Sequence, residues 1–170
     1  MKLNPFAWPF RTQFLFGFLV CAALLAYAVF AQYGQMFEPC PLCIFQRLAL
    51  AATGLIALVG ALHAPASGGG RRAYGILAFL AAATGAAIAA RHVWIQHLPA
   101  DQVPECGPGL NYLLESMPSY LAVVRKVLAG SGECAKVDWT LFGFSMPEWT
   151  LLCFAVLAVG ALAAGFRRRA

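Results

Sequence analysis

The 170-residue sequence is 61% hydrophobic and only 11% charged, and its mean hydropathy is +0.72. Soluble globular domains carry roughly 25% charged residues, so this composition excludes an ordinary soluble domain and indicates a membrane protein. We interpret the formal net charge of +5 as a signal of membrane topology. Nucleic acid is therefore not predicted as a partner.

Four charge-free, mostly apolar runs are separated by more polar segments. A helix that crosses a bilayer needs about 20 such residues, with roughly 17 to 25 tolerated. We therefore predict an all-α membrane protein in which residues 1–170 form a single integral membrane domain. Its fold is a four-transmembrane-helix bundle with a long periplasmic loop between helices 3 and 4. The predicted spans cover approximately residues 12–32, 44–62, 73–92 and 148–166, and the outer loops approximately residues 33–43 and 93–147.

The charges are divided unequally between the two predicted sides of the membrane. All seven acidic residues lie on the side of the two outer loops, and the side of both termini has none. Because Lys and Arg are retained in cytoplasmic loops, both termini are predicted to be cytoplasmic. A cleaved signal peptide is the alternative for the first span, but its apolar stretch exceeds the usual core of about 7–15 residues. The basic residues on the predicted cytoplasmic side are Lys2, Arg11, Arg71, Arg72, Arg167, Arg168 and Arg169.

A C-x-x-C motif, Cys40-Pro41-Leu42-Cys43, precedes the second span. So short a loop gains little stability from a disulfide, whereas a helix N-terminus favours the thiolate. Pro41 suits the first position of a helix, because the missing N–H would have no partner there. The motif favours a redox-active pair at the membrane surface, from which electrons can pass to an acceptor in the lipid.

Arg47 lies four residues after Cys43, so it is predicted on the same helix face, one turn deeper. A cation at the edge of the hydrocarbon is costly and usually functional. Arg47 can stabilise a Cys43 thiolate or polarise a carbonyl of a bound quinone. The alternative is that it only anchors the second span at the interface.

Spans two and three are expected to be joined by a turn over residues 67–72, which are rich in glycine. Small residues in span three let helix backbones approach closely, so we predict a packing face there. His92, at the outer end of the span, can reach the depth of Arg47 and donate to a quinone oxygen; alternatively, it is merely solvated. The two predicted rows of small residues are Ala82, Ala86 and Ala90, and Ala81, Gly85 and Ala89.

The segment between spans three and four carries four prolines before Ser119, which exclude a long helix in that part. Residues 120–128 are expected to form a short helix lying on the membrane. The aromatic residues between 139 and 149 predict either seating at the membrane interface, where Trp is enriched, or a small folded lobe with an aromatic core.

Cys106 and Cys134 lie in this polar segment, on the same side as Cys40 and Cys43. Three interpretations of the four cysteines stay open from spacing alone: redox exchange, two structural bridges, or a zinc site with four thiolates. The spacing lacks the paired C-x-x-C motifs of zinc ribbons, and Ile44 replaces the histidine of a c-type haem site. Two further cysteines lie within spans one and four and are expected to be small buried hydrophobes separated in depth by about 10 Å. They are Cys21 and Cys153.

The sequence Cys-Pro-Leu-Cys-Ile-Phe-Gln-Arg at 40–47, together with His92, Cys106 and Ser131-Gly132-Glu133-Cys134, resembles the DsbB family of the bacterial inner membrane. The segment 139–149 is similar to that family's lead-in to its fourth helix. The resemblance covers nearly the whole chain. Gln46 differs from the acidic residue that often precedes the arginine in the family.

This resemblance implies that the protein reoxidises a periplasmic DsbA-like thiol oxidase and passes two electrons to a quinone, either ubiquinone or menaquinone. It implies that Cys106 forms the mixed disulfide with DsbA and that Cys134 is its partner. Cys134 then exchanges with Cys40, which leaves Cys43 as a thiolate facing the quinone, with Arg47 at the quinone site. No metal is expected, and the remaining partner is membrane lipid.

Two other functions remain as alternatives. One is a membrane scaffold or interaction protein whose outer lobe is stapled by two disulfides. The other is an enzyme similar to vitamin K epoxide reductase, although in that family the redox C-x-x-C lies late in the chain.

Overall fold

The computed structural model describes residues 8–36, 38–99, 101–105, 107, 110–137 and 139–167. Within these residues, the chain forms helices, one 3₁₀ turn and one short hairpin. In chain order these are α1 (Phe10–Gly34), α2 (Pro41–His63), α3 (Gly68–Gln96), α4 (Leu110–Ser116), α5 (Tyr120–Ala129), the 3₁₀ turn (Gly132–Ala135), β1 (Thr140–Leu141), β2 (Phe144–Ser145) and α6 (Met146–Phe166).

Helices α1, α2, α3 and α6 are each long and apolar enough to cross a membrane. The prediction of a mainly helical protein with four helices able to span a membrane is therefore confirmed. The short hairpin of β1 and β2 departs from the all-α prediction, and the sidedness of the loops stays a prediction. In its described residues, the segment between α3 and α6 forms only short elements, as its prolines predicted. One of them, α5, is the short helix expected over residues 120–128, and its position relative to a membrane also stays a prediction.

The turn between α2 and α3 lies earlier than expected. We expected it over residues 67–72, but α3 already begins at Gly68, and the connection covers residues 64–67. Ser67 explains the difference, because its Oγ accepts a hydrogen bond from the backbone N–H of Gly70 (3.1 Å) and so caps the helix. The three glycines therefore form the first turn of α3 and not the loop.

Helix α3 packs against α6 through its smallest residues. A Cβ added at Gly75 would lie 2.9 Å from the Cα of Gly165, and one added at Gly85 would overlap the ring of Phe154. Close backbone approach of this kind is what small residues permit in membrane helices. The buried positions of α3 alternate in steps of three and four residues, so neither predicted row is buried as a whole and Ala90 is exposed. The buried stripe comprises Gly75, Ala78, Ala82, Gly85, Ala89, His92 and Ile95.

At the other end of this stripe, short elements cover the N-terminus of α2 and the C-terminus of α3. Arg91 fixes α5 in this position, since its Nε and one Nη donate to the carbonyl oxygens of Leu128 and Ala129 (3.1 and 2.9 Å), and its guanidinium lies over the ring of Trp94. The result is a small core at this end of the bundle. Its buried members are Cys40, Leu42, Ile95, Leu113, Val123, Val127 and Cys134.

The aromatic residues of the β-hairpin lie outside this core. Phe142 and Phe144 are largely exposed, and Trp149 packs edge-on against Phe144 while its indole N–H donates to Leu141 O (3.1 Å). Phe142 and Gly143 both have positive φ values, as a two-residue hairpin turn requires. In the described residues, the buried core at this end is therefore built from aliphatic side chains and cysteines. The aromatic core, one of the two alternatives predicted for this segment, is not found there, and seating at the membrane interface stays a prediction.

Candidate active site at the cysteine cluster

The C-x-x-C motif forms the first turn of α2. Cys40 is the N-cap residue, with Pro41 in the first turn as predicted, and the backbone N–H of Cys43 points at Cys40 Sγ (3.4 Å). The sulfur atoms of Cys40 and Cys43 are 3.1 Å apart and both are free thiols. Cys40 is buried and Cys43 is half-buried, so the two sulfurs differ in their access from outside. The helix thus presents one sheltered thiol and one more accessible thiol.

Cys134 comes from the 3₁₀ turn and contacts the same motif. Its side chain is 1% exposed and packs in the same buried cluster as Cys40, and Ser131 Oγ lies 3.7 Å from its sulfur. The interaction with the neighbouring Cys40 thiol and the burial of the sulfur raise the pKa of the Cys134 thiol above its ordinary value. The structure therefore brings together three of the four predicted cysteines, with Cys134 beside Cys40.

Cys106, the fourth predicted cysteine, lies outside the described residues. Its described neighbours pack against the segment that leads into the 3₁₀ turn. The carbonyl of Glu105 accepts from the N–H of Gly132 (3.2 Å), and a Cβ added at Gly107 would lie 3.6 Å from Ser131 Cβ. The chain on either side of position 106 is thus held next to the residues that precede Cys134.

His92 lies at the centre of the cluster, at the end of the buried stripe of α3. It is 2% exposed, with Nε2 3.9 Å from Cys40 Sγ and Nδ1 4.0 Å from Cys43 Sγ. Nε2 also lies 3.1 Å from the carbonyl oxygen of Cys134, which can only accept, so Nε2 carries a hydrogen. His92 is therefore not a solvated surface residue, and its predicted donation to a quinone stays a prediction.

Two residues of this site were not predicted as site residues from the sequence. Gln46 is a buried amide, 5% exposed, whose Nε2 lies 3.1 Å from Nδ1 of His92. Thr150, on α6, donates its hydroxyl to Gln46 Oε1 (3.0 Å). The available signal was Gln46 itself, an uncharged polar residue in an apolar run three positions after Cys43. Thr150 had no such signal, because it lies 104 positions after Gln46 and nothing in the sequence indicates that the two residues are in contact.

Arg47 points away from the thiols and towards α1. Its guanidinium donates to Gln32 Oε1 and to the carbonyl oxygen of Ala28 (3.1 Å for the latter), and the side chain is half-buried. Gln32 was also not singled out from the sequence. The guanidinium thus fixes α1 against α2 near the C-x-x-C motif, and both predicted roles, quinone contact and anchoring, remain compatible with this position.

The cluster also contains donor atoms that thiophilic metals use. The ligand atoms of Cys40, Cys43 and His92 all lie within 4.8 Å of one another. Each thiol faces a different ring nitrogen, however, and both nitrogens already have hydrogen-bond partners, so a metal would displace one of these bonds. The expectation that no metal takes part stays a prediction.

The remaining two cysteines belong to the membrane helices. Cys21 is 1% exposed and its Cβ would lie 2.9 Å from a Cβ added at Gly54, so it fills the contact between α1 and α2. Cys153 is half-buried and lines an apolar cleft of about 360 Å³ between α1 and α6. Both environments suit the small apolar role that was expected of them.

Comparison with known proteins adds independent findings. The sequence model of the family described as "Disulfide bond formation protein DsbB" matches residues 10–164. A relative in Xanthomonas campestris pv. campestris (strain 8004) is 54% identical over 167 residues, which are 98% of this chain and 96% of the relative. A relative in Methylococcus capsulatus is 52% identical over 151 residues, 89% of this chain and 90% of the relative. Both are named "Disulfide bond formation protein B".

Proposed function

The chain belongs to the DsbB family of disulfide bond formation proteins, and from this premise we propose that it reoxidises a periplasmic DsbA-like thiol oxidase and passes the electrons to a membrane quinone. In this proposal the protein is a protein-dithiol:quinone oxidoreductase of the bacterial inner membrane. The family assignment itself supports a role in disulfide bond formation, and the four membrane helices fit a membrane location.

The observation that carries the proposal is the contact between Cys134 and the C-x-x-C motif. A disulfide that only stapled the segment between α3 and α6 would not need a thiol buried against a second, separate cysteine pair. Cys134 instead packs in the same buried cluster as Cys40, whose sulfur lies 3.1 Å from that of Cys43. This arrangement supports a relay in which a bond passes from one cysteine pair to the other by thiol–disulfide exchange.

The order of the relay follows from which sulfurs are neighbours. A DsbA thiolate attacks the Cys106–Cys134 disulfide and forms a mixed disulfide with Cys106, which frees Cys134. Cys134 lies beside Cys40, so it attacks the Cys40 sulfur of the Cys40–Cys43 bond, and Cys43 leaves with the electron pair. The second DsbA thiol then resolves the mixed disulfide, and DsbA departs oxidised. Cys106, released as a thiol, attacks Cys134 and re-forms the Cys106–Cys134 disulfide, so Cys40 leaves as a thiolate. The two electrons then reside in Cys40 and Cys43 at the N-terminus of α2.

A quinone supplies the terminal acceptor, because it takes up two electrons and two protons to become a quinol. Arg47 and His92 are the residues proposed to hold it, and the chain offers two features that fit such a group. Arg47 is a half-buried cation one turn from Cys43, and the apolar cleft between α1 and α6 suits an isoprenoid tail. The residues that line this cleft include Trp149, in the first turn of α6, and Trp8, just before α1.

The proposal includes an orientation in which both termini are cytoplasmic and the cysteine cluster is periplasmic, within one integral membrane domain of residues 1–170. In this orientation the cysteine cluster lies in the periplasm, an oxidising compartment in which disulfides persist. It also agrees with the basic residues near the opposite end of the bundle, where α2 joins α3.

The direct test is reduction of a quinone by the purified protein when reduced DsbA is supplied. Quinone absorbance and the thiol content of DsbA should fall together, with one quinone consumed for each DsbA dithiol. Cys106→Ser should abolish turnover, whereas Cys21→Ser, which removes a thiol packed between α1 and α2, should retain it. Normal turnover in Cys106→Ser would reject the relay, and no quinone reduction by the native chain would leave the stapled scaffold as the better description.

A further inference from the structure

Gln46 and Thr150 form a polar contact inside the bundle that the relay of sulfurs does not use. Thr150 Oγ1 donates to Gln46 Oε1 (3.0 Å), and Gln46 Nε2 donates to His92 Nδ1 (3.1 Å). A polar group buried between membrane helices is costly unless it is bonded, and such groups commonly have a function. Here both ends of the Gln46 amide are bonded, and the chain of bonds ends at the histidine that faces the thiols.

His92 can hold two charge states in this network. Its Nε2 carries a hydrogen in either state, because it is bonded to the carbonyl oxygen of Cys134. Nδ1 is therefore the atom that gains or loses a proton. The neutral ring accepts a hydrogen bond from Gln46 Nε2, whereas the imidazolium must donate, and a half-turn of the Gln46 amide about its terminal bond presents Oε1 to Nδ1.

Thr150 allows this half-turn without leaving a buried group unbonded. Its hydroxyl donates to Gln46 when His92 is neutral. After the half-turn it can accept from Gln46 Nε2 and donate to the carbonyl oxygen of Met146 (2.9 Å) or Pro147 (3.1 Å), both of which are already within reach. A hydroxyl both donates and accepts, whereas valine, which has nearly the same size as threonine, can do neither and could not replace it.

We propose that Gln46 and Thr150 are positioning residues that let His92 take up the proton released when Cys134 exchanges with the C-x-x-C pair. This inference rests on the proposed function. In the exchange, the S–H bond of Cys134 breaks, a Cys134–Cys40 bond forms, and the Cys40–Cys43 bond breaks with its electron pair on Cys43. One proton and one thiolate are produced, and no electrons leave the protein.

Uptake of this proton at His92 Nδ1 places the positive charge 4.0 Å from Cys43 Sγ, where the negative charge arises. Such a pair is favoured in surroundings of low dielectric, in which separated charges are costly. The other titratable groups facing His92 are Cys40 and Cys134, and α6 contributes the uncharged Thr150. The nearby Arg91 and Arg47 direct their guanidinium groups to α5 and α1.

The inference is tested on the full chain with the single change Cys106→Ser, oxidised by two electrons, without DsbA and without quinone. This protein holds either the Cys40–Cys43 bond or the Cys40–Cys134 bond. The fraction of each is measured between pH 6 and pH 9 by acid quenching, alkylation and mass mapping of the peptides. With His92 as proton acceptor, both forms bind the same number of protons, so the partition is expected to be flat with pH.

Thr150→Val and Gln46→Leu should lower the Cys40–Cys134 fraction about tenfold at neutral pH, which is the size expected for a lost hydrogen bond to a charged group. The fraction should then rise with pH, because the proton must go to solvent. Gln46→Glu, which preserves shape but holds His92 protonated, should also make the partition rise with pH. Thr150→Ser should behave as the parent does. The matched control is Thr53→Val, because the hydroxyl of Thr53 donates to Ala49 O of its own helix (2.8 Å).

A flat, unchanged partition in Thr150→Val and Gln46→Glu would overturn the inference. Equal effects of Thr150→Ser and Thr150→Val would also overturn it, since they would indicate a purely structural role. The outcome is separable from that of the proposed function. Failure of the native chain to reduce quinone would reject the relay to quinone, whereas the partition requires only the cysteines of this chain.

Discussion

Ile95→Ala should expose Cys134 without unfolding the membrane helices. Ile95 is fully buried at the end of α3, within the core that contains Leu42, Val123 and Val127 as well as Cys134. Its Cδ1 also lies against Gly130, where an added Cβ would overlap it. Truncation therefore removes the side chain that joins α3 to the segment carrying the 3₁₀ turn.

The magnitude follows from the burial of this side chain. Replacing a buried Ile by Ala costs about 2–5 kcal/mol, depending on how far the cavity collapses. If about 2 kcal/mol of this loss falls on local opening of the 3₁₀ turn, the open population rises roughly 30-fold, because about 1.4 kcal/mol is a factor of ten. Ile95→Val removes one methylene, costs about 0.5–1.5 kcal/mol, and should give a rise of only a few-fold to about tenfold.

The assay is the alkylation rate of Cys134 in the fully reduced protein, followed by mass mapping. Leu55→Ala is the matched control, because Leu55 is 62% exposed on a membrane helix and its truncation leaves no internal cavity. An alkylation rate in Ile95→Ala equal to that of the Leu55→Ala protein would refute the reasoning. It would mean that something other than this packing shields the thiol.

Three further outcomes are expected. Arg47→Ala should raise the quinone KM several-fold and release α1 from α2. Arg47→Lys should restore part of the quinone affinity, because it restores the charge without the planar guanidinium fork. An unchanged KM in Arg47→Ala would leave only the anchoring role for Arg47. The pKa of Cys134 is raised by its interaction with the neighbouring Cys40 thiol and by burial. The folded protein therefore binds that proton more tightly than the unfolded chain, whose thiol has an ordinary pKa near 9.0. The stability of the cysteine cluster should therefore be fully present below pH 9 and decrease above it, and thermal unfolding of Cys134→Ala should lack this decrease. Reporter fusions after Gly69 should be active only with a cytoplasmic reporter, and an active periplasmic reporter there would reject the orientation.

The membrane helices could be predicted from the sequence because hydropathy is a property of consecutive residues. The same holds for the C-x-x-C pair at a helix start, since Pro41 and the spacing of the two cysteines are local signals. The buried face of α3 could not be predicted without knowing how its partner helix, α6, crosses it. Rows at a spacing of four residues were expected, but Phe154 of α6 lies over Gly85, and the buried positions follow the crossing of the two helices.

The polar part of the site could not be predicted for a different reason. Gln46 and Thr150 are 104 positions apart, and neither residue type implies a partner when read alone. His92 could be placed at the correct depth from its position in span three, but not in contact with Cys134, because that contact depends on how the segment after α5 returns to the bundle. Residues of a membrane interior that bond to one another leave no periodic pattern in the sequence.

The hydrogen bond from His92 to the main-chain oxygen of Cys134 has a consequence for motion. A hydrogen bond to the backbone carbonyl does not depend on the oxidation state of the Cys134 side chain. His92 can therefore hold the 3₁₀ turn whether Cys134 is bonded to Cys106 or to Cys40. Changing partners then requires rotation about the side-chain bonds of cysteine and not displacement of a loop. The 3₁₀ turn thus stays bonded to His92 while the side chain of Cys134 changes its partner.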